Sequence, residues 1–474
     1  AVHRLTSFPP GRARGAAWRV RVCDCEKKVV SVFPMSSHVL NRSHLLLSRS
    51  RSTVAAAAAT ASRHSAWQGT QAVPADPILG LVAAFKADAA PRKVNLAQGA
   101  FRTDEGLPLV LPSVVEAERR VSSALASGAI DKEYLPIEGD ATFRTLSAKL
   151  IFGDESAALA EGRCATLQTL SGTGAVSVAA AALCRMAGAR TIHVPDPSWG
   201  NHGHIFRSAG LEVQNYAYLD HRTGTTLDFD GMRAALSGLP RGSVVLLHAC
   251  AHNPTGIDPS GEQWQELAEL FAGRGLVALF DSAYQGYASG DLDADAASVR
   301  AFEAAGVLPV ACQSYAKSLG LYGERIGAVN FVCASREEAE AVLSTVKQTI
   351  VRPAYSSPPL HGARLAAEVL GDAALFAQWR GELRGMANRV HRMRVLLADA
   401  LRAEGAPSPD GGDWGHVVDQ IGMFAYTGLS ASHVDSLRER HHVYLTRDGR
   451  MSMAAMKPAD IEYVARAVRS VLAE

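Results

Sequence analysis

In the stretch QSYAKSLGLYGERIG, Gln313–Gly327, one lysine and one arginine stand among serine, glycine and tyrosine just past an apolar run. Two neighbouring segments carry matching chemistry. The run Val277–Phe280 ends at Asp281 and continues into Tyr284, and QTLSGTGA places Ser171, Gly172 and Thr173 at the start of a helical pattern. Singly these signals are weak: a glycine-rich turn is often only a tight turn, and a strand-end aspartate is often only a helix cap. Together they fit pyridoxal phosphate. That cofactor needs a lysine to form its imine, a carboxylate to keep its ring nitrogen protonated, and donors for its phosphate. Lys317, Asp281, Arg325 and the turn Ser171–Thr173 meet those needs. A guanidinium binds phosphate bidentately, and small residues at a helix N-terminus let backbone N–H groups approach an anion. Tyr284 and Asn253 of HACAHNPTG can reach the ring's phenolic oxygen, and the peptide before Pro254 is a candidate cis bond.

The elements that must position these residues are strands. Apolar runs at Thr166–Leu170, Thr191–Pro195, Leu211–Tyr218, Ser243–Ala249, Leu276–Asp281, Leu308–Gln313 and Ile326–Val332 alternate with helical patterns such as Gln263–Ala272 and Arg336–Val346. Near-continuous apolar strands separated by helices imply an α/β domain, with a mostly parallel sheet covered on both faces. In such sheets ligands bind beyond the carboxyl ends of the strands, where the polar residues above lie. From Leu375 to Leu401 apolar residues recur every three or four positions, which predicts one long amphipathic helix bridging two domains. A smaller α/β segment follows the Pro- and Gly-rich stretch Gly405–Gly412. The segment Pro77–Pro108 has too little core of its own and is expected to pack with that C-terminal piece.

Composition narrows the partners. With 47% hydrophobic and 20% charged residues and a formal net charge of +1, no global field draws the chain to nucleic acid or an anionic membrane. Small molecules are the expected partners. No apolar run reaches the roughly 20 residues of a membrane-spanning helix. Seven scattered cysteines argue against a disulfide framework, and Cys23-x-Cys25 is too short for ordinary zinc spacing, so no metal is expected. Residues 1–64 differ in character. No Asp or Glu occurs from Met35 to Ala75, while Arg42, Arg49, Arg51 and Arg63 lie among serines and the alanine run Ala55–Ala59. This is the composition of an organellar transit peptide, with a low-complexity tail as the alternative. The chain opens on Ala1, so residues upstream of Met35 are read as translated leader or as part of a fragment. The mitochondrial matrix is the expected location, with plastid and cytoplasm as alternatives.

The motifs SGTGA, WGNH, HNPTG, DSAYQG, SYAKSLGLYGERIG and DGRMSMA, in this order, resemble those of class I (fold type I) aminotransferases, and of their aspartate-using branch in particular. The likeness runs from about Ser65 to Glu474. It implies a large cofactor domain (109–384) around a mainly parallel seven-stranded sheet, a small domain built from both chain ends (65–108 and 385–474), and a homodimer with shared active sites. It further implies that Lys317 forms the Schiff base and shuttles the proton, that Asp281 partners the pyridinium, and that Trp199 stacks on the ring. Ser171, Gly172, Thr173, Ser314 and Arg325 would hold the phosphate with Tyr134 of the other subunit. His202 and His252 would support Asp281. Arg450 would clamp the substrate α-carboxylate, Arg352 would reach across the dimer to a distal carboxylate, and Gly99 would lie in a loop covering the substrate. Arg352 points to dicarboxylic amino and keto acids, namely aspartate, glutamate, oxaloacetate and 2-oxoglutarate, and the exchange of amines through the Lys317 imine implies ping-pong kinetics.

This chain departs from the family pattern in AQGAFR, where Gln98 and Phe101 replace Val and Tyr, and at Ser357 and Ala455, which replace Asn and Gly. None removes a catalytic group. An aromatic or kynurenine aminotransferase on the same fold is the rival enzyme reading, and a non-catalytic binding or scaffold protein the rival from another class.

Overall fold

The computed structural model describes residues 65–74, 76 and 78–473. The leader expected at 1–64, with Cys23 and Cys25, lies outside them. Residues Ala75–Glu474 form one compact unit.

A short strand, β1 (Val94–Asn95), precedes the seven strands of the main sheet: β2 (Cys164–Leu170), β3 (Thr191–Asp196), β4 (Glu212–Ala217), β5 (Val244–His248), β6 (Val277–Ser282), β7 (Val310–Ser314) and β8 (Ile326–Val332). Their spatial order is β2-β8-β7-β6-β5-β3-β4. All run parallel except β8, which is antiparallel to both neighbours. Every residue of β5 is buried, and its side chains alternate between two cores. Val244 and Leu246 join Val176, Leu279 and Val329 on one face, while Val245 and Leu247 join Phe271, Phe280 and Phe302 on the other. A period of two with both faces apolar is what two covering helical layers require.

The bridging helix spans Ala373–Ala403, and Asp372 caps it by accepting from the Ala374 and Leu375 N–H groups at 3.0 and 2.9 Å. Leu375, Trp379, Leu383, Met386, Val390, Met393, Leu397 and Leu401 are buried along one stripe, and Arg394 is buried among them. After it come β9 (Phe424–Tyr426), β10 (Val443–Tyr444) and β11 (Arg450–Ser452). β1 pairs in parallel with β10, so the two chain ends meet, and β9 pairs antiparallel with β11. Asp88 fastens the first pairing, accepting hydrogen bonds from Tyr444 Oη at 2.7 Å and His442 Nδ1 at 2.8 Å.

Candidate active site

The carboxyl ends of β2, β5, β6 and β7 open into a cleft of about 560 Å³. Of the sixteen residues carried over to the site, all but Tyr134, Arg352, His202 and His252 line it.

At the end of β2 the chain turns directly into the helix Ser171–Arg185. Ser171 adopts φ +62° and Arg325 φ +55°, a region that side chains rarely enter. The two residues are joined, because Ser171 N–H donates to the Arg325 carbonyl at 3.0 Å. Ser171 Oγ also lies 3.1 Å from Ser314 Oγ at the end of β7. This corner has no spare room. A Cβ on Gly172 would stand 2.9 Å from Ser314 Cβ, and one on Gly327 would stand 2.6 Å from the Ser171 carbonyl carbon. Arg325 is exposed to the cleft, steadied by a 3.1 Å bond from its Nη1 to the Tyr322 carbonyl.

Asp281 sits at the end of β6. Burial pushes its carboxyl upward, but the hydrogen bond from His202 Nε2 at 2.9 Å, helped by the charge of Lys317, outweighs this and holds it below its ordinary value. The proton positions behind it follow from the partners. Asn253 N–H donates to His248 Nδ1 at 3.1 Å, so neutral His248 carries its proton on Nε2, facing Ser198 Oγ at 3.3 Å. Burial drives the His248 pKa down to about 3 and keeps it neutral. Ser198 Oγ is then free to donate to His202 Nδ1 at 2.8 Å, which leaves the His202 proton on Nε2, aimed at Asp281. The chain of bonds presents a proton donor to a carboxylate that must stay charged.

Lys317 follows β7, partly buried, with Nζ 5.1 Å from the centroid of the Tyr284 ring. Burial lowers its pKa; Asp281 opposes that shift and Arg325 adds to it. Burial raises the Tyr284 phenol above its ordinary value, so it is held protonated as a donor. Trp199 stands edge-on to His202, with ring centroids 5.1 Å apart.

Arg450 opens β11 and is 4% exposed. Its Nη1 donates to Asn253 Oδ1 at 3.2 Å and its Nη2 to the Ala97 carbonyl at 3.1 Å, while Nε is buried without a partner. The Phe424 ring lies 4.0 Å from its Cζ. Binding Asn253 through its oxygen leaves the amide N–H₂ to donate elsewhere. Gly99 packs against the same phenylalanine, since a Cβ there would stand 2.7 Å from Phe424 Cζ.

Two expected residues lie apart from the cleft in this chain. Tyr134 is 90% exposed, and Arg352 is exposed on a short helix (Arg352–Tyr355), bonded to Ser356 Oγ. One expectation is corrected: His252 does not reach Asp281. His248 instead joins the bond chain to Asp281 through Ser198 and His202, and His252 stacks between His248 and Tyr218 with its Nδ1 on Thr255 Oγ1 at 2.8 Å. His248, Ser198, Tyr322 and Phe424 were not singled out from the sequence. For His248 a signal existed, a histidine ending a wholly apolar strand.

The residues present fit pyridoxal phosphate. The cradle that a Cβ at Gly172 would fill, a carboxylate held charged beneath the cleft and a lysine with a lowered pKa make up its donor set. Residues 91–468 match the family of aminotransferases of class I and II, and the chain belongs to that family. It is 48% identical over 408 residues to a cytoplasmic aspartate aminotransferase of Oryza sativa subsp. japonica, covering 86% of this chain and 98% of the relative. It is 47% identical over 433 residues to a mitochondrial aspartate aminotransferase of Xenopus tropicalis, covering 91% and 99%. Among solved structures, the cytoplasmic aspartate aminotransferase of Saccharomyces cerevisiae superposes with a TM-score of 0.82 at 38% identity, over 86% of this chain and 98% of that one. An aromatic-amino-acid aminotransferase of Burkholderia pseudomallei, covalently bound to pyridoxal phosphate, gives 0.81 at 40% identity, over 86% and 100%.

Proposed function

We propose that the chain is a pyridoxal-phosphate-dependent aspartate aminotransferase, interconverting L-aspartate and 2-oxoglutarate with oxaloacetate and L-glutamate. The observation that carries this reading is the convergence of Lys317, Asp281, the Ser171–Thr173 turn and Arg450 on one cleft, in a chain nearly half identical to aspartate aminotransferases.

When bound, the cofactor supplies an electron sink for the substrate's α-carbon electron pair. The protein does the rest. Ser171, Gly172, Thr173, Ser314 and Arg325 hold the phosphate, and Asp281 holds the ring nitrogen's proton. Asn253 and Tyr284 donate to the phenolic oxygen, and Trp199 covers the ring face. Arg450 fixes the substrate α-carboxylate with its fork, which orients the α-proton toward Lys317. Lys317 Nζ, its pKa lowered by burial, would take that proton at neutral pH and hold it for return. The second keto acid reverses the sequence, so kinetics are ping-pong.

Arg352 and Tyr134 enter this scheme from a second copy of the chain in a homodimer. Their exposure in the single chain supports that placement. The division into a large domain (109–384) and a small one (65–108 with 385–474) and the mitochondrial location belong to the same proposal. The location rests on the composition of residues 1–64, since the two relatives above carry a cytoplasmic and a mitochondrial name.

Purified protein should show a cofactor absorption band that shifts on adding aspartate. Lys317→Ala should lose both the shift and turnover, and retained transamination in that variant sinks the reading. Arg352→Ala should lower aspartate turnover far more than phenylalanine turnover. Undiminished aspartate turnover removes the role given to Arg352, and phenylalanine turnover exceeding that of aspartate in the parent protein favours the aromatic reading.

A further inference from the structure

Arg394 lies in the buried stripe of the bridging helix and is 1% exposed, yet no carboxylate is within ion-pair range among the described residues. Its guanidinium is spent on backbone. Nη1 donates to the Val417 carbonyl at 2.9 Å, and Nη2 to the carbonyls of Gly422 at 2.9 Å and Phe424 at 2.5 Å. A buried guanidinium is costly to desolvate, and three carbonyls converging on it amount to a device for holding one stretch of chain.

That stretch reaches the cleft through Phe424. The Phe424 ring is the platform under the Arg450 guanidinium, and the same ring closes on Gly99. Behind it, Ile421 N–H donates to the Gly256 carbonyl at 2.8 Å, joining the segment to the turn that carries Asn253. β9 is only three residues long; its ladder sets Phe424 opposite Ser452 of β11, and Met453 N–H donates to the Met423 carbonyl at 2.8 Å. Just before it, Gly422 sits at φ +80°, a conformation glycine enters without steric cost. The tie to Arg394 holds the same residues from the side of the bridging helix.

We propose that Arg394 is a positioning residue of the substrate mouth. By holding the Gly422 and Phe424 carbonyls it sets the Phe424 ring, and through that ring the orientation in which Arg450 meets a substrate carboxylate. This rests on the carboxylate role given to Arg450 above. Arg394 touches neither cofactor nor substrate, and its effect belongs to substrate affinity, since none of its partners lies in the phosphate cradle or beside Asp281.

The test uses the holoenzyme and five variants: Arg394→Lys, Arg394→Met, Phe424→Leu, the double variant Arg394→Lys/Phe424→Leu, and Arg450→Ala. A misplacement of about 1 Å, set by a residue far from the chemistry, costs up to about 100-fold. Arg394→Met should therefore raise KM for both the amino acid and the keto acid about tenfold or more, with kcat changed less and the cofactor band and its retention unchanged. Arg394→Lys keeps the charge but not the fork, and should fall between Met and the parent. If Arg394→Met fails to fold, Arg394→Lys carries the same measurement. The double variant should be no worse than Phe424→Leu alone, because the arginine acts through that ring. Unchanged KM in folded Arg394 variants, or losses that multiply in the double variant, overturn the proposal. Arg450→Ala separates the two readings. If it keeps a normal KM, the carboxylate role fails; if it loses affinity while the Arg394 variants do not, only the present inference fails.

Discussion

Replacing Gly172 by alanine tests whether the corner between β2 and β7 is a cofactor cradle. The added Cβ would lie 2.9 Å from Ser314 Cβ. That atom cannot rotate aside, because a Cβ is fixed by its backbone, and Ser314 is locked in β7, opposite Gly327 of β8. Gly327 is itself close against the Ser171 backbone, so the strain passes to the Ser171–Ser314 pair whose hydroxyls are 3.1 Å apart. Overpacking of this kind costs about 1–3 kcal/mol. At about 1.4 kcal/mol per factor of ten, pyridoxal phosphate should bind about 5- to 150-fold more weakly. Absorbance titration of the apoenzyme with the cofactor measures this directly. Gly323→Ala is the control, since a Cβ there meets nothing within 4 Å and its φ is ordinary. The control should stay within about twofold of the parent. Equal affinities for Gly172→Ala and the parent would refute the cradle.

Two further outcomes follow from the electrostatics. His202→Leu removes the main group opposing burial at Asp281, so the carboxyl's pKa should rise and the acid limb of the kcat/KM profile should move to higher pH; an unmoved limb contradicts the hydrogen-bond chain through Ser198. Asp88 has its pKa lowered to about 2 from the ordinary 3.8, first by the Ala90 N–H and then by Tyr444 and His442. Its charged form is favoured by folding, so the tie between the chain ends is intact above about pH 4 and fades as pH falls toward 2. Hydrogen exchange of Leu79–Asn95 should quicken across that window in the parent, and Asp88→Asn should abolish the dependence.

Much of this was legible in the residues because the sheet's apolar runs stop where its ligands would begin. Asp281, Ser314 and Lys317 could be placed at strand ends from hydrophobicity alone, and the stripe Leu375–Leu401 from its spacing. The direction of Ile326–Val332 could not be read, since an apolar run carries no sign of parallel or antiparallel pairing. The left-handed conformations of Ser171 and Arg325 were hidden as well, because neither residue type favours them, and only the contact between their backbones requires them. His248 and His252 lie close together in one motif, and which of them joins the bond chain to Asp281 through Ser198 depends on the turn after β5, which the motif does not reveal. Arg394 was read past for a related reason. A lone arginine in a helical stripe looks like a surface charge until its carbonyl partners, from a segment more than twenty residues on, are in place.

The pairing of the two chain ends also orders events in time. Asp88 and His442 are 354 residues apart, and chains are made N-terminus first at about 5–20 residues per second. Ser171, Ser314, Lys317 and Arg325 are all translated before Arg450. In order of synthesis, the residues assigned to the phosphate and the imine precede the arginine assigned to the substrate α-carboxylate, so that clamp is the last part of the cleft to emerge from the ribosome.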